Sequence, residues 1–182
     1  MRWLCIVVPA SHTAVFFLIR SGQPDWVIML CRAAEFLVMA LIFFNYRPRT
    51  LWPTTPVERQ LWSIWLAVFV SYALNVWIIR MLASHEAIVS RSDEQVARLE
   101  LMFYPFSSVV AGIALFIMGS NYWGRCYEYG IAFFVTAALM PLKLEWAPLA
   151  FGFVWGVILF SFSRHLKNLS KDSRVTAQHL DY

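Results

Sequence analysis

Six stretches of this chain run 15–19 residues with at most two charged residues each, and that pattern leaves few folds open. Lipid tolerates only elements that satisfy their own backbone, which are helices or closed barrels. The runs are continuously apolar and lack the period-two alternation of a barrel strand. The sequence therefore predicts an all-α polytopic membrane bundle with helices near Trp3–Ile19, Trp26–Phe44, Leu61–Ile79, Leu101–Met118, Glu128–Leu142 and Trp146–Ser163. Composition agrees: 60% of residues are hydrophobic and 14% charged, against roughly 45–50% and about 25% in soluble domains. A soluble fold of this length cannot hide so much apolar surface.

The connections carry their own signals. Ser21-Gly22-Gln23-Pro24-Asp25 is a turn cluster that folds the first two helices into a hairpin. Tyr46 to Gln60 holds Pro48, Pro53 and Pro56 and reads as a loop, and Ser84 to Arg98 reads as a loop with a short helical excursion through Ala87, Ile88 and Val96. The fifth segment is short for a crossing of about 30 Å. It either spans with little tilt or by thinning the bilayer, or is half of a re-entrant pair with the sixth; a bundle of five spans is the alternative to six. Arg2 and the apolar stretch after it imitate a leader, but the run continues to Ile19, longer than a cleaved signal. Residues 1–163 thus form the membrane bundle and 164–182 a basic tail that prolongs the last helix.

Counting Lys and Arg over six spans puts nine on the side of both termini and five on the other. The expectation is cytoplasmic termini in a bacterial inner membrane. The net charge of +4 follows from this bias, so nucleic acid is not an expected partner.

Within the spans, Gly152 and Gly156 have GxxxG spacing, and Ser108 with Gly112 forms a similar small-residue pair; both predict helix contacts. Trp3, Trp26, Trp62, Trp77 and Trp146 fall near helix ends as interface anchors, whereas Trp65 and Trp155 fall deeper. Ionisable groups are costly in hydrocarbon and so mark candidate sites. His12, Arg32 and Glu35 are the ones well inside a span, setting aside Cys and Tyr. Arg32 and Glu35 are three apart on one helix face and predict an ion pair, with Asp25 on the same stripe. Ser71, Asn75 and Ser108, beside Ser107, add polar groups on the third and fourth helices. The expectation is an intramembrane polar hub built from His12, Arg32, Glu35, Ser71, Asn75 and Ser108.

No HExxH, GxSxG, P-loop or GxGxxG occurs, and no Lys lies inside a span, so neither an enzyme nor a retinal Schiff base is expected. Cys5, Cys31 and Cys126 have no CxxC or His-paired metal spacing. No cofactor is predicted; a single haem or pigment ligand at His12 is the alternative, since His85, His165 and His179 fall outside the spans.

Pro53-Thr54-Thr55-Pro56-Val57-Glu58-Arg59-Gln60-Leu61-Trp62-Ser63-Ile64-Trp65 resembles a segment of the polytopic membrane modules that follow the kinase domain in some bacterial serine/threonine protein kinases. Gly119-Ser120-Asn121-Tyr122-Trp123-Gly124 and Trp146-Ala147-Pro148-Leu149-Ala150-Phe151-Gly152 are similar to later parts of that pattern, which covers Arg32 to Leu166. The chain has no Gly-rich loop, HRD or DFG, so kinase activity does not carry over, and the resemblance implies a stand-alone sensory or anchoring module. The leading expectation is a non-catalytic membrane subunit with a protein partner or a second copy of itself. Alternatives are a small proton- or ion-coupled carrier using Glu35 and Arg32, a pigment-binding subunit of an electron-transfer complex and, last, a lipid-modifying enzyme.

Overall fold

The computed structural model describes residues 3–46, 55–88, 98 and 100–180. Among them are six α-helices: α1 (Leu4–Arg20), α2 (Asp25–Tyr46), α3 (Pro56–Ile88), α4 (Phe103–Asn121), α5 (Arg125–Leu139) and α6 (Ala147–Leu180). A 3-10 segment, Met140–Trp146, joins the last two. Pro48, Pro53 and Val96 lie outside the described residues, as does the side chain of Asp25.

Each element begins and ends for local reasons. The α1–α2 turn closes on Gly22, whose φ of 65° suits a residue without a Cβ. Its N–H donates to the Ile19 carbonyl and that of Gln23 to the Leu18 carbonyl, which satisfies the end of α1. α3 begins at Pro56, five residues before the apolar run. Thr55 and Glu58 form a reciprocal capping box there: the Glu58 N–H donates to Thr55 Oγ1 at 3.2 Å and the Thr55 N–H to Glu58 Oε2 at 3.4 Å. Proline at the first helical position loses no bond. α3 then continues to Ile88, so the helical excursion expected beyond Ser84 is an extension of α3 itself. α6 likewise runs past Ser163 to Leu180, in line with a tail that prolongs the last helix.

Residue pairs show how the helices run. Ser11 meets Glu35, Asn75 meets Phe103 and Ser107, Gly119 meets Tyr127, Phe133 meets Trp155, and His12 meets Gly152. Tyr72 also meets Ser107, Gly112 meets Phe134, Tyr129 meets Ser161 and Pro9 meets Gly156, so across α3–α4, α4–α5, α5–α6 and α1–α6 one number rises as the other falls and the packed helices are antiparallel. α4 packs most closely on α5, and α1 on α6, bringing the first helix back to the last. The core holds Val15, Tyr104, Leu115, Phe133, Cys126 and Ile158.

The outer faces are apolar as well. Phe17, Leu37, Leu66, Leu74, Phe153 and Phe160 are exposed, a surface suited to lipid rather than water. Among the described residues, three helical stretches are long and apolar enough to cross a membrane: Pro56–Leu82, Phe103–Asn121 and Arg125–Asn168. The third comprises α5 and α6, folded back at Lys143, where φ −146° and ψ 71° leave the helical region. Leu4–Arg20 is a shorter apolar helix. The chain is thus an all-α membrane bundle.

Trp3, Trp26 and Trp146 are exposed near helix ends, whereas Trp77 is exposed eleven residues before the end of α3, which outruns the apolar stretch. Trp65 and Trp155 meet inside, with ring centroids 6.2 Å apart.

Candidate functional site

α1 and α2 form a hairpin whose facing sides carry the buried charge. His12, Arg32 and Glu35 are only 6%, 9% and 8% exposed, so the charged side of α2 faces protein, as its spacing implies. The pairing differs from the sequence expectation. No Arg32–Glu35 ion pair occurs among the described residues; the two Glu35 oxygens turn to α1 instead. Ser11 Oγ donates to Glu35 Oε2 at 2.7 Å, and His12 Nε2 lies 3.5 Å from Glu35 Oε1. Side chains three apart on a helix compete with whatever the neighbouring helix offers, and here α1 offers a hydroxyl and an imidazole.

Arg32 turns to α4. Its Nη2 donates to the Tyr104 hydroxyl at 3.5 Å, and its guanidinium sits 4.7 Å from the centre of the Phe103 ring and 5.6 Å from that of Tyr104. Cation–π contact of this kind strengthens as water is excluded. Arg32 remains within electrostatic reach of Glu35. His12 is boxed by the edges of Tyr104 and Phe151, at 5.8 and 5.0 Å between centroids. Two buried nitrogens of this cluster, His12 Nδ1 and Arg32 Nε, make no hydrogen bond.

The other polar residues form neighbouring groups. Asn75 Nδ2 donates to the Phe103 carbonyl at 3.2 Å and to Ser107 Oγ at 3.3 Å, while the Tyr72 hydroxyl donates to the Ser107 carbonyl at 3.3 Å. This group ties α3 to α4 and meets the ionic cluster through Phe103, Tyr104 and Phe151, whose ring centre lies 6.4 Å from that of Tyr72. Ser108 faces the other way and donates to Met140 Sδ at 3.7 Å. Ser71 is half-buried on α3 with no bond to either group. The structure therefore brings together His12, Arg32 and Glu35, and places Asn75, Ser108 and Ser71 outside that cluster.

Sequence reasoning passed over Tyr104, an anchor of Arg32, and the Arg80–Glu100 ion pair at 2.9 Å. A signal existed. Glu100, Tyr104 and Ser107 recur at i, i+4 and i+7, one polar stripe on the run leading into and through α4.

The glycines act where their spacing predicts. A Cβ on Gly152 would lie 2.7 Å from the His12 Cβ, and one on Gly156 would lie 2.7 Å from the Pro9 ring. A Cβ on Gly112 would lie 2.6 Å from the Phe134 ring, where α4 meets α5. Among the described residues no group of three His, Cys, Asp or Glu side chains could hold a metal ion. A macrocyclic pigment does not fit His12 either. It needs an open slot beside a ring nitrogen, whereas Tyr104 and Phe151 edge the imidazole and the α6 backbone presses on its Cβ.

Fold and site together define a helical membrane bundle with a buried ionic cluster. Comparison with known protein families, characterised proteins and solved structures found no match.

Proposed function

We propose that this chain is a non-catalytic subunit, of sensory, anchoring or accessory kind, crossing a bacterial inner membrane six times with both termini cytoplasmic. One observation carries the reading. The ionisable groups are engaged with one another and with aromatic rings across α1, α2, α4 and α6, an arrangement that holds helices in place. The resemblance to kinase-associated membrane modules points the same way, as does the absence of catalytic motifs. A subunit of this kind works through what it binds. The full chain extracted from its native membrane in mild detergent is expected to migrate with a second protein or as an oligomer. Recovery as a monodisperse monomer in a lipid-only micelle overturns this reading.

The antiparallel packing of neighbouring helices and the α5–α6 hairpin support the reading of six crossings. α5 has 15 residues, about 22 Å at 1.5 Å per residue. The 3-10 segment rises faster, about 2 Å per residue, and its first few residues bring the fifth crossing near 30 Å. Cysteines introduced at Gly22 and Lys143 are expected to react with an impermeant thiol reagent from outside intact cells, while one introduced at Asn168 reacts only after lysis. A cysteine introduced at Gly124 that labels from the same side as one at Lys143 overturns the fifth crossing.

A proton-coupled carrier is the second reading, favoured by the direct approach of His12 to Glu35. It shares the residues of the lock, and the Glu35 variants below separate the two.

A further inference from the structure

Three buried groups of the ionic cluster keep hydrogen-bonding capacity that no protein atom takes up. His12 Nδ1 and Arg32 Nε make no hydrogen bond. The Tyr104 hydroxyl accepts from Arg32 Nη2, and among the described residues its own O–H donates to no acceptor. All three residues are at most 9% exposed. Native interiors pair nearly all such groups, either with protein or with ordered water.

Charge balance assigns each group its role. Arg32 is a fixed cation and Glu35 is its countercharge, so His12 completes the cluster as a neutral ring with one N–H and one lone pair. His12 Nε2 lies 3.5 Å from Glu35 Oε1, which places the proton on Nε2 and leaves Nδ1 as an acceptor. The α6 backbone covers the opposite edge of the ring: a Cβ on Gly152 would lie 3.4 Å from both Cγ and Cδ2 of His12. Nδ1 stands across the ring from Cδ2, on the edge turned away from that contact. Both His12 and Arg32 border Tyr104, the imidazole 5.8 Å from its ring centre and the guanidinium carbon 5.6 Å from it.

The inventory is one acceptor, His12 Nδ1, and two donors, Arg32 Nε–H and the Tyr104 O–H. An anion answers the donors and strands the lone pair. A metal cation answers the lone pair and is repelled by Arg32. Water does both, and it needs only about 30 Å³ of liquid volume, where a macrocycle finds no slot.

We infer that the cluster holds one ordered water molecule, which donates to His12 Nδ1 and accepts from Arg32 Nε–H and from the Tyr104 hydroxyl. Three hydrogen bonds are the usual complement of a buried water. The water closes a loop that direct bonds leave open. Glu35 meets α1 and Arg32 meets α4, while among the described residues no direct hydrogen bond joins His12 to Arg32 or to Tyr104. The site is the same whether the cluster locks helices or carries a proton.

The test is solid-state NMR of the full chain in lipid bilayers with nitrogen-15-labelled histidine, where His12→Phe identifies the His12 signals among the four histidines. The expected spectrum shows a neutral His12 protonated at Nε2, with Nδ1 accepting a hydrogen bond, and magnetisation passing to the ring from water protons. Tyr104→Phe keeps the buried ring and deletes one partner of the water, so it should cut that transfer severalfold. A proton on Nδ1, the absence of water transfer to His12, transfer from acyl-chain protons in its place, or transfer undiminished by Tyr104→Phe overturns the assignment. Should Tyr104→Phe fail to fold, the spectrum of the parent chain decides alone, because tautomer and water contact are both read there without substitution.

Discussion

Glu35→Ala is expected to destabilise the bundle by about 3–5 kcal/mol, because it strands Arg32 as a buried cation with no carboxylate beside it. The loss has two further parts. Ser11 loses the acceptor 2.7 Å away, and His12 loses the carboxylate 3.5 Å from its Nε2. The check is denaturant-induced unfolding of the purified chain in detergent. Arg32→Met alone should cost a similar amount by leaving Glu35 without its countercharge, although Arg32 contacts Tyr104 and Phe103 rather than the carboxylate itself. The double variant Arg32→Met with Glu35→Met should lie much closer to the parent chain than either single variant, because no unpaired charge then remains in the interior. If Glu35→Ala shifts stability by less than about 0.5 kcal/mol, the range of an ordinary surface change, the cluster is not a lock.

The same position separates the two functional readings. Glu35→Gln keeps the shape of the side chain and its contact with Ser11 while removing a titratable site. A carrier that moves protons through Glu35 loses pH-driven flux in reconstituted vesicles with this variant although it still folds. A structural lock shows no such flux in either form.

The membrane class was legible because hydropathy answers to one dominant force, the exclusion of polar groups from hydrocarbon. That force places the centres of helices and leaves their ends to local chemistry. Leu61 begins the third apolar run, yet the helix begins at Pro56, because Thr55 and Glu58 cap it in water where hydropathy is silent. The Thr-Pro-x-Glu spacing was present in the sequence, masked by the prolines that argued for a loop. α6 outruns Ser163 for a similar reason: once a helix leaves the membrane, nothing in its apolar pattern records where it stops.

The candidate site was legible to the same depth. Burial of His12, Arg32 and Glu35 follows from the cost of charge in lipid, and so does their facing protein. Which group each one meets does not follow, because that depends on the rotation and register of other helices. Arg32 and Glu35 are neighbours by spacing, but the α1–α2 turn at Gly22 brings Ser11 and His12 level with Glu35, and the crossing of α4 brings Tyr104 under Arg32. Tyr104 sits in an apolar run and reads as one more aromatic residue until its hydroxyl is seen to accept from the guanidinium. Ser108 was grouped with the hub by depth alone, and the rotation of α4 carries it to Met140.

Gly152 carries the second large effect, and the reason lies in how helices associate in lipid. Without a hydrophobic force between them, helices gain from close backbone approach, which small residues permit. The methyl group of Gly152→Ala would meet the His12 Cβ at 2.7 Å, an atom fixed to the α1 backbone that cannot swing aside. α1 must shift from α6, at a cost of about 1–3 kcal/mol for overpacking, and Gly152→Leu should exceed that range. Gly156→Ala meets the rigid Pro9 ring at the same distance and should act alike. Gly124→Ala provides the contrast, since nothing lies within 4 Å of its added Cβ, and it should leave thermal unfolding nearly unchanged. The shift of α1 also draws His12 away from Glu35, so Gly152→Ala and Glu35→Ala act on one interface. Their combined loss should fall short of the sum of the two, by an interaction energy of about 0.5–3 kcal/mol in a double-mutant cycle. Strict additivity would mean that the glycine contact and the ionic cluster hold the first helix independently, and that the close approach of α6 does not position His12.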